Sequence, residues 1–242
     1  NVDYEVVIDD GADWISRVPE TRGLTESTVV LRVARNEDIT DRVGKVMIRD
    51  IGTGISNTVT VSQAGNAETH TIHVAEAGSL GSMLSDTQKN NLVNIKITGS
   101  INKDDFKTLE KMPKLTELDL SEVSVPGNSI PSEAMCTIGS VGSLRVYKSE
   151  SNIQKLILPE NVAVISENTF SAMKKLREVV LPQSLTAIRE AAFCLCSQLQ
   201  SVDIPDNVTV IGKLAFSNCT SLQSVNFSPN SKLQRIESVM GG

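Results

Sequence analysis

Between Ile153 and Leu222 the sequence repeats itself with a step of 23 residues. In register it reads IQKLILPENVAVISENTFSAMKK, then LREVVLPQSLTAIREAAFCLCSQ, then LQSVDIPDNVTVIGKLAFSNCTS. A fixed period of this size is the signature of a solenoid, so architecture is constrained before any chemistry is considered. Leu176, Val179, Leu181, Leu185, Ile188, Ala192 and Phe193 recur as Leu199, Val202, Ile204, Val208, Ile211, Ala215 and Phe216. A single copy of this length buries too little apolar surface to hold itself together. Stacking solves the problem, because each coil covers the apolar edge of its neighbour.

Within each copy the opening Leu-x-x-Val-x-Leu-Pro piece alternates at its end and carries β-branched residues, which predicts a short strand. Proline then ends it by removing a ladder donor. The Val-Thr-x-Ile piece, as in Val208–Ile211, predicts a second short extended segment on another side of the coil. The Ala-Phe stretch predicts one turn of α or 3₁₀ helix.

Leu92 and Leu115 extend the same spacing upstream, giving about six coils over residues 67–242. The polar segment Ser79–Asn91 before Leu92 and a helical pattern at Phe106, Leu109 and Met112 after it, with Asn102 as N-cap, predict a cap over the first coil. The step from Leu115 to Ile153 is longer than one period, and the landmark Ile130–Met135 places most of the excess in an insertion at 136–152. That insertion carries Arg145, Tyr147 and Lys148. Insertions in repeats emerge as loops on one face, often the binding face, so these three are candidate contacts; a passive surface loop is the plain alternative.

Residues 1–66 lack the period. Val2–Ile8, Val29–Val33, Val43–Ile48 and Val59–Ser62 read as strands separated by turns such as Asp9-Asp10-Gly11 and Gly52-Thr53-Gly54, which predicts a small all-β, immunoglobulin-like sandwich. Ala64–Glu68 reads as a linker, and His70–Val74 as a further strand.

Two resemblances follow from these residues. Val208, Thr209, Ile211, Gly212, Ala215, Phe216 and Cys219 resemble the BspA-like leucine-rich-repeat consensus residue for residue. Residues Asn1–Tyr4, Asp13-Trp14-Ile15, Arg35-Asn36, Arg42-x-Gly44-x-Val46-x-Ile48 and Val59–Gln63 resemble, in order and spacing, a BACON domain. The resemblance implies a Bacteroidetes-type surface or secreted protein, with BspA-like relatives associated with adhesion to proteins and cells, and BACON domains with carbohydrate-active contexts.

Chemistry is sparse in the sequence. The net charge of -6 argues against nucleic acid or an anionic membrane surface as partner. No run of 18 apolar residues is present, so no insertion into a membrane is expected. His70 and His73 fall on opposite faces of a strand and cannot share a metal. No nucleophile motif or phosphate loop stands out. No catalysis and no cofactor are therefore expected. Cys196 and Cys219 occupy the same offset in adjacent coils, close enough for a bridge, but small buried thiols in the column of Met173 are the expected state.

The strand positions between core residues should line one exposed sheet face. Its candidate partner-binding residues are Glu117, Asp119, Lys155, Glu178, Asp203 and Asn226, a mildly acidic row without aromatics that suits a protein partner. Four phenylalanines belong to the repeat core and Phe106 to the cap, which leaves Tyr4 and Trp14 as candidate glycan contacts in the N-terminal domain. The sequence thus predicts a non-catalytic, adhesin-like binding module for an extracellular protein or glycoprotein. Its rival is glycan binding by the N-terminal domain. A start at Asn1 rather than Met predicts a processed or trimmed chain, and the resemblance implies that it is secreted or held at the cell surface, with a lipoprotein segment upstream as the expected anchor.

Overall fold

The computed structural model describes residues 4–18, 29–36, 38, 40–65, 68–142 and 144–237. Asn1–Asp3 of the predicted first strand and motif lie outside these. The chain divides into two compact units, Asn1–Ala67 and Glu68–Gly242.

The first unit contains β1 (Tyr4–Ile8), β2 (Ile15–Arg17), β3 (Leu31–Val33), β4 (Arg42–Asp50) and β5 (Ser56–Gln63). Strands β1, β4 and β5 form one antiparallel sheet, and β2 and β3 form an antiparallel pair. Ala12, Ile15 and Val46 are buried together, with Val6, Ile8, Trp14, Leu31 and Val61 packed on them, so both sheets contribute to one apolar cluster. Only three residues long, β2 escapes a reading based on alternation. Asn36 has a structural role: it is buried, and its side-chain amide donates to the carbonyls of Thr40 (2.8 Å) and Ala64 (2.9 Å). The β4–β5 turn is closed by Asp50, whose carboxylate accepts the Thr53 N–H, with Gly54 at positive φ.

The second unit begins with β6 (His70–Val74), α1 (Leu80–Met83), α2 (Asp86–Asn91), β7 (Asn94–Ser100) and α3 (Lys103–Glu110). Next come β8 (Glu117–Ser124), β9 (Ser129–Ile130), and a hairpin of β10 (Thr137–Val141) and β11 (Leu144–Lys148). The regular coils supply β12 (Lys155–Ile157), β13 (Val164–Ile165), β14 (Glu178–Val180), β15 (Ala187–Ile188), β16 (Ser201–Ile204), β17 (Val210–Ile211), β18 (Ser224–Phe227) and β19 (Arg235–Ile236). Two parallel sheets run along the stack. The larger has the order β18-β16-β14-β12-β8-β7-β6, the smaller β19-β17-β15-β13-β9. The pairs Lys155↔Glu178, Glu178↔Ser201 and Ser201↔Ser224 hold the 23-residue step in register. In the smaller sheet Ile165, Ile188 and Ile211 keep the same step, while Ile130 and Ile236 join the file across longer ones.

The predicted helical turn at the Ala-Phe stretch is corrected by the structure: no helix forms there in the three regular coils. Asn168, Ala191 and Leu214 have positive φ, and so do Ala172, Leu195 and Asn218 four residues on. Each left-handed residue reverses the local peptide direction, so alternate N–H groups point to the next coil instead of along a helix axis. Phe170 donates to Ala192 (2.8 Å) and Ala172 to Cys194 (2.7 Å), and one coil on Phe193 donates to Ala215 and Leu195 to Ser217. Lateral bonds of this kind tie coil to coil on the third side, which isolated helical turns could not do.

The interior files are continuous. Phe170 and Phe193 stack at 5.3 Å between centroids, Phe193 and Phe216 at 5.4 Å. Over the first coil, Asn102 caps α3 in a capping box with Asp105. The buried Asp105 carboxylate also accepts the N–H groups of Gly78 (2.6 Å) and Leu80 (2.9 Å), joining α3 to α1. Strand β6 pairs in parallel with β7 at a step of 25 and so adds a rung upstream of the six expected coils. Gly99, at positive φ, lies where a side chain would run into the Val74 carbonyl, which is why this rung needs glycine.

Candidate functional site

Parallel pairing sets the candidate residues of the large sheet side by side. Lys155 lies between Glu117 and Glu178, and Ile157 between Asp119 and Val180. Asp203 lies beside Asn226. Several are tied to each other: Lys155 Nζ stands 3.1 Å from Glu178, and Asn226 Nδ2 donates to Asp203 Oδ1 at 2.7 Å. Lys96 bridges Glu122 (2.6 Å) and Asp119 (3.8 Å). The Glu122 carboxylate, with a lesser contribution from Asp119, holds the Lys96 ammonium above its ordinary range. Two depressions open on this face. One is lined by Asn94, Glu117, Asp119, Lys155 and Ile157, the other by Glu178, Val180, Ser201, Asp203, Asn226 and Phe227. All six predicted face residues border one or the other. The face is mixed: ion pairs alternate with exposed apolar groups, Val180 at 40% and Phe227 at 43%.

The insertion folds as the β10–β11 hairpin rather than an irregular loop. Ile138 pairs with Tyr147, Ser140 with Arg145 and Thr137 with Lys148. Side chains alternate along a strand, so Arg145 and Tyr147 share one face and Lys148 belongs to the other, where it pairs with Glu150 at 3.1 Å. The hairpin base is held to α3. Lys107 Nζ donates to the Cys136 carbonyl (2.6 Å) and Glu110 Oε1 accepts the Glu150 N–H (3.3 Å).

In the first unit the Arg42 guanidinium covers the Trp14 ring at 4.3 Å and is anchored to Gln63 Oε1 and the Ala34 carbonyl. A sugar stacking on that face of Trp14 would have to displace a bound cation. Tyr4 receives a hydrogen bond from Arg17 at 3.0 Å and lines a depression with Ile48, Asp50, Ile55 and Asn57.

All four cysteines are free thiols in buried positions. Cys196 donates to the Phe170 carbonyl and Cys219 to that of Phe193, each at 3.2 Å, which makes them equivalent members of one column. Burial pushes Cys136 and Cys219 up to about 11, and Cys196 well above its usual value. His70 and His73 stand on β6, where His73 Nδ1 meets Thr98 Oγ1 at 3.0 Å. Among the described residues no group of three or more His, Cys, Asp or Glu could hold a metal ion.

The sequence reading passed over one groove. At the corner where the chain enters the large sheet, Lys114, Asn152, Gln154, Lys175, Arg177 and Gln198 line a depression. Their offsets precede the strands by one to three residues, and reading those columns down the period would have exposed them.

Residues 4–64 match the BACON family, a proposed N-terminal binding domain, and residues 142–240 match the BspA-type leucine-rich-repeat region in six copies. Residues 4–64 are thus of BACON type and residues 142–240 of BspA-type leucine-rich-repeat type. The repeat match spans the hairpin's second strand and the regular coils, and the BACON match covers β1 through β5. No curated protein matches the chain. Among solved structures, a leucine-rich repeat protein from Bacteroides ovatus ATCC 8483 is similar at 22% identity and a TM-score of 0.39, over 58% of this chain and 39% of that one. The pneumococcal vaccine antigen PcpA is similar at 17% identity and a TM-score of 0.40, over 83% of this chain and 41% of that one. A leucine-rich cell surface protein from Faecalibacterium prausnitzii A2-165 shares 17% identity at a TM-score of 0.26, over 60% and 57%. The chain thus spans less than two thirds of each. No helix among the described residues is long and apolar enough to cross a membrane.

Proposed function

We propose that this BACON and leucine-rich-repeat chain is a non-catalytic, adhesin-like binding protein of the cell surface or extracellular space. In this reading a small immunoglobulin-like sandwich (residues 1–66) precedes a capped solenoid (residues 67–242) that binds an extracellular protein or glycoprotein. Both matched families have a binding or surface character, and that supports the general role. The finer reading rests on one observation: Glu117, Asp119, Lys155, Glu178, Asp203 and Asn226 line the two depressions of one exposed parallel sheet. A rigid face with ion pairs interleaved with exposed Val180 and Phe227 fits a moderately polar protein interface.

The test is surface plasmon resonance against immobilised matrix glycoproteins, comparing the intact chain with the double variant Glu178→Arg/Asp203→Arg. The reading requires binding by the parent and at least about tenfold weaker binding by the variant, a loss of about 1.4 kcal/mol. Unchanged affinity in a folded variant, or no glycoprotein retained above an unrelated control, sinks it. Arg145 and Tyr147 on the shared hairpin face are proposed as accessory contacts, with Lys148 on the opposite face a weaker one.

A second reading, glycan binding by the BACON domain, is favoured by the depression beside Tyr4. A glycan array separates the two. Binding lost in Tyr4→Ala with the fold retained supports it, while loss in Trp14→Ala must be checked against unfolding, since that ring packs on the core.

A further inference from the structure

The corner before the large sheet is built from two columns, one residue of each per coil. The first is fixed by an unbroken run of backbone hydrogen bonds: Thr116 donates to Val93 (2.8 Å), Gln154 to Thr116 (2.7 Å), Arg177 to Gln154 (2.8 Å), Gln200 to Arg177 (3.1 Å) and Gln223 to Gln200 (2.9 Å). The second column, two residues earlier in each coil, is Asn91, Lys114, Asn152, Lys175, Gln198 and Ser221. Neither column contains an Asp or Glu, although the chain has 29 acidic residues against 23 basic.

Lys114, Lys175 and Arg177 converge on the groove between these columns. Among the described residues none of the three forms an ion pair, whereas Lys96, Lys107, Lys148, Lys155 and Lys213 each bind a carboxylate. The groove's own bonds are to neutral groups. Lys114 Nζ donates to Asn91 Oδ1 (3.0 Å), Arg177 Nε to Gln198 Oε1 (3.2 Å) and Asn152 Nδ2 to the Pro113 carbonyl (3.1 Å). Cations are thereby positioned without being neutralised, and carboxamides able both to donate and to accept stand beside them.

We propose that this corner groove binds an acidic polysaccharide laid along the solenoid axis, with Lys114, Lys175 and Arg177 taking its sulfate or carboxylate groups and Asn152, Gln154 and Gln198 its hydroxyls. The favoured ligand is a glycan rather than a peptide, because cations and carboxamides make up most of the groove and its apolar members, Val93 and Pro113, lie at one end. An acidic peptide would bring side chains with nowhere to be buried. A ladder repeating about every 4.8 Å also matches a polymer that presents the same groups at each unit. Arg177 offers a planar fork suited to carboxylate or sulfate.

The experiment measures binding of the intact chain to heparin oligosaccharides, oligogalacturonates, dextran and polyglutamate at physiological salt. It uses the parent, the triple variant Lys114→Ser/Lys175→Ser/Arg177→Ser, the single variant Arg177→Gln, and an equally charged control, Lys103→Ser/Lys111→Ser/Lys232→Ser. The parent binds at least one anionic glycan about tenfold or more tightly than dextran, the groove triple loses at least about tenfold, and the control stays within about twofold. Preference for heparin assigns sulfate, and preference for oligogalacturonate assigns carboxylate. Arg177→Gln, which removes the guanidinium charge but keeps a hydrogen-bonding side chain, shows a partial loss and guards against misfolding of the triple variant. The proposal is overturned if neither anionic glycan binds, if both triple variants weaken equally, or if polyglutamate binds as tightly as the glycans. None of these outcomes bears on the sheet-face reading, whose residues lie outside the groove.

Discussion

The rings of Phe193 and Phe216 lie 5.4 Å apart with their planes within 1° of parallel. They are separated by one period in sequence and belong to adjacent coils, so this contact expresses the repeat directly. Phe193 also stacks on Phe170 and is completely buried, whereas Phe216 has one ring neighbour and is half-buried.

Phe193→Ala should therefore destabilise the solenoid by about 3–5 kcal/mol, and Phe216→Ala by clearly less. Urea denaturation followed by circular dichroism measures both. Equal losses would mean that the file is not read correctly from its geometry.

Asp105→Ala removes the acceptor of three backbone N–H groups, that of Leu80 in a buried bond and those of Gly78 and Asn102 in part-buried ones. Leaving a buried donor such as the Leu80 N–H unpaired costs about 1–3 kcal/mol, while the other two can turn to water, so the loss should fall in that range. Hydrogen exchange should show the cap helices opening first. Protection unchanged at Leu80 would refute the coupling of α1 to α3.

Leu214 is exposed and sits at φ 60, in the column where Asn168 stands two coils earlier. Leu214→Gly should raise stability by about 0.5–1 kcal/mol, because the left-handed conformation carries a penalty for a branched side chain. Gly212→Ala, two residues away, should do the opposite, since its Cβ would stand 2.5 Å from the Glu190 nitrogen and 2.6 Å from the Arg189 carbonyl carbon. Thermal melts of the two variants should move in opposite directions.

Burial raises Cys136 and Cys219 from 9.0 to about 11. The folded state then holds these protons while the unfolded state releases them, so the stabilising difference is fully present below pH 9 and disappears as pH rises through about 11. Denaturant midpoints should fall across that window. At pH 8 the native protein should react with iodoacetamide far more slowly than the unfolded chain, whose four cysteines alkylate together. Rapid native labelling would show that the thiols are not sheltered.

Much of the fold is legible in the sequence because the physics of a stacked coil is local and repeated. Leu176, Val179, Leu181 and Phe193 recur at fixed offsets, and the strand register, the interior phenylalanine file and the Asn102 cap follow from them. The third side of the coil is not legible in the same way. An Ala-Phe pair flanked by polar residues suits a helical turn by local preference, and only lateral bonds such as Phe170 to Ala192 make the alternating left-handed path preferable. Strand β2 was hidden by its length, and the hairpin by the polar, glycine-containing composition of the insertion. Among candidate sites, the sheet-face row followed from alternation within the strands, but the groove of Lys114, Lys175 and Arg177 did not, because these residues precede the strands, where no alternation marks them.

The sequence by itself determined the period, the identity of the inward-facing residues and the BACON and BspA-type signatures of residues 4–64 and 142–240, since each of these is a pattern along the chain. The tertiary structure alone decided which surface residues become neighbours. Coils one period apart stack within hydrogen-bonding distance, and that proximity pairs Lys155 with Glu178 while leaving the cations of the corner groove without carboxylates.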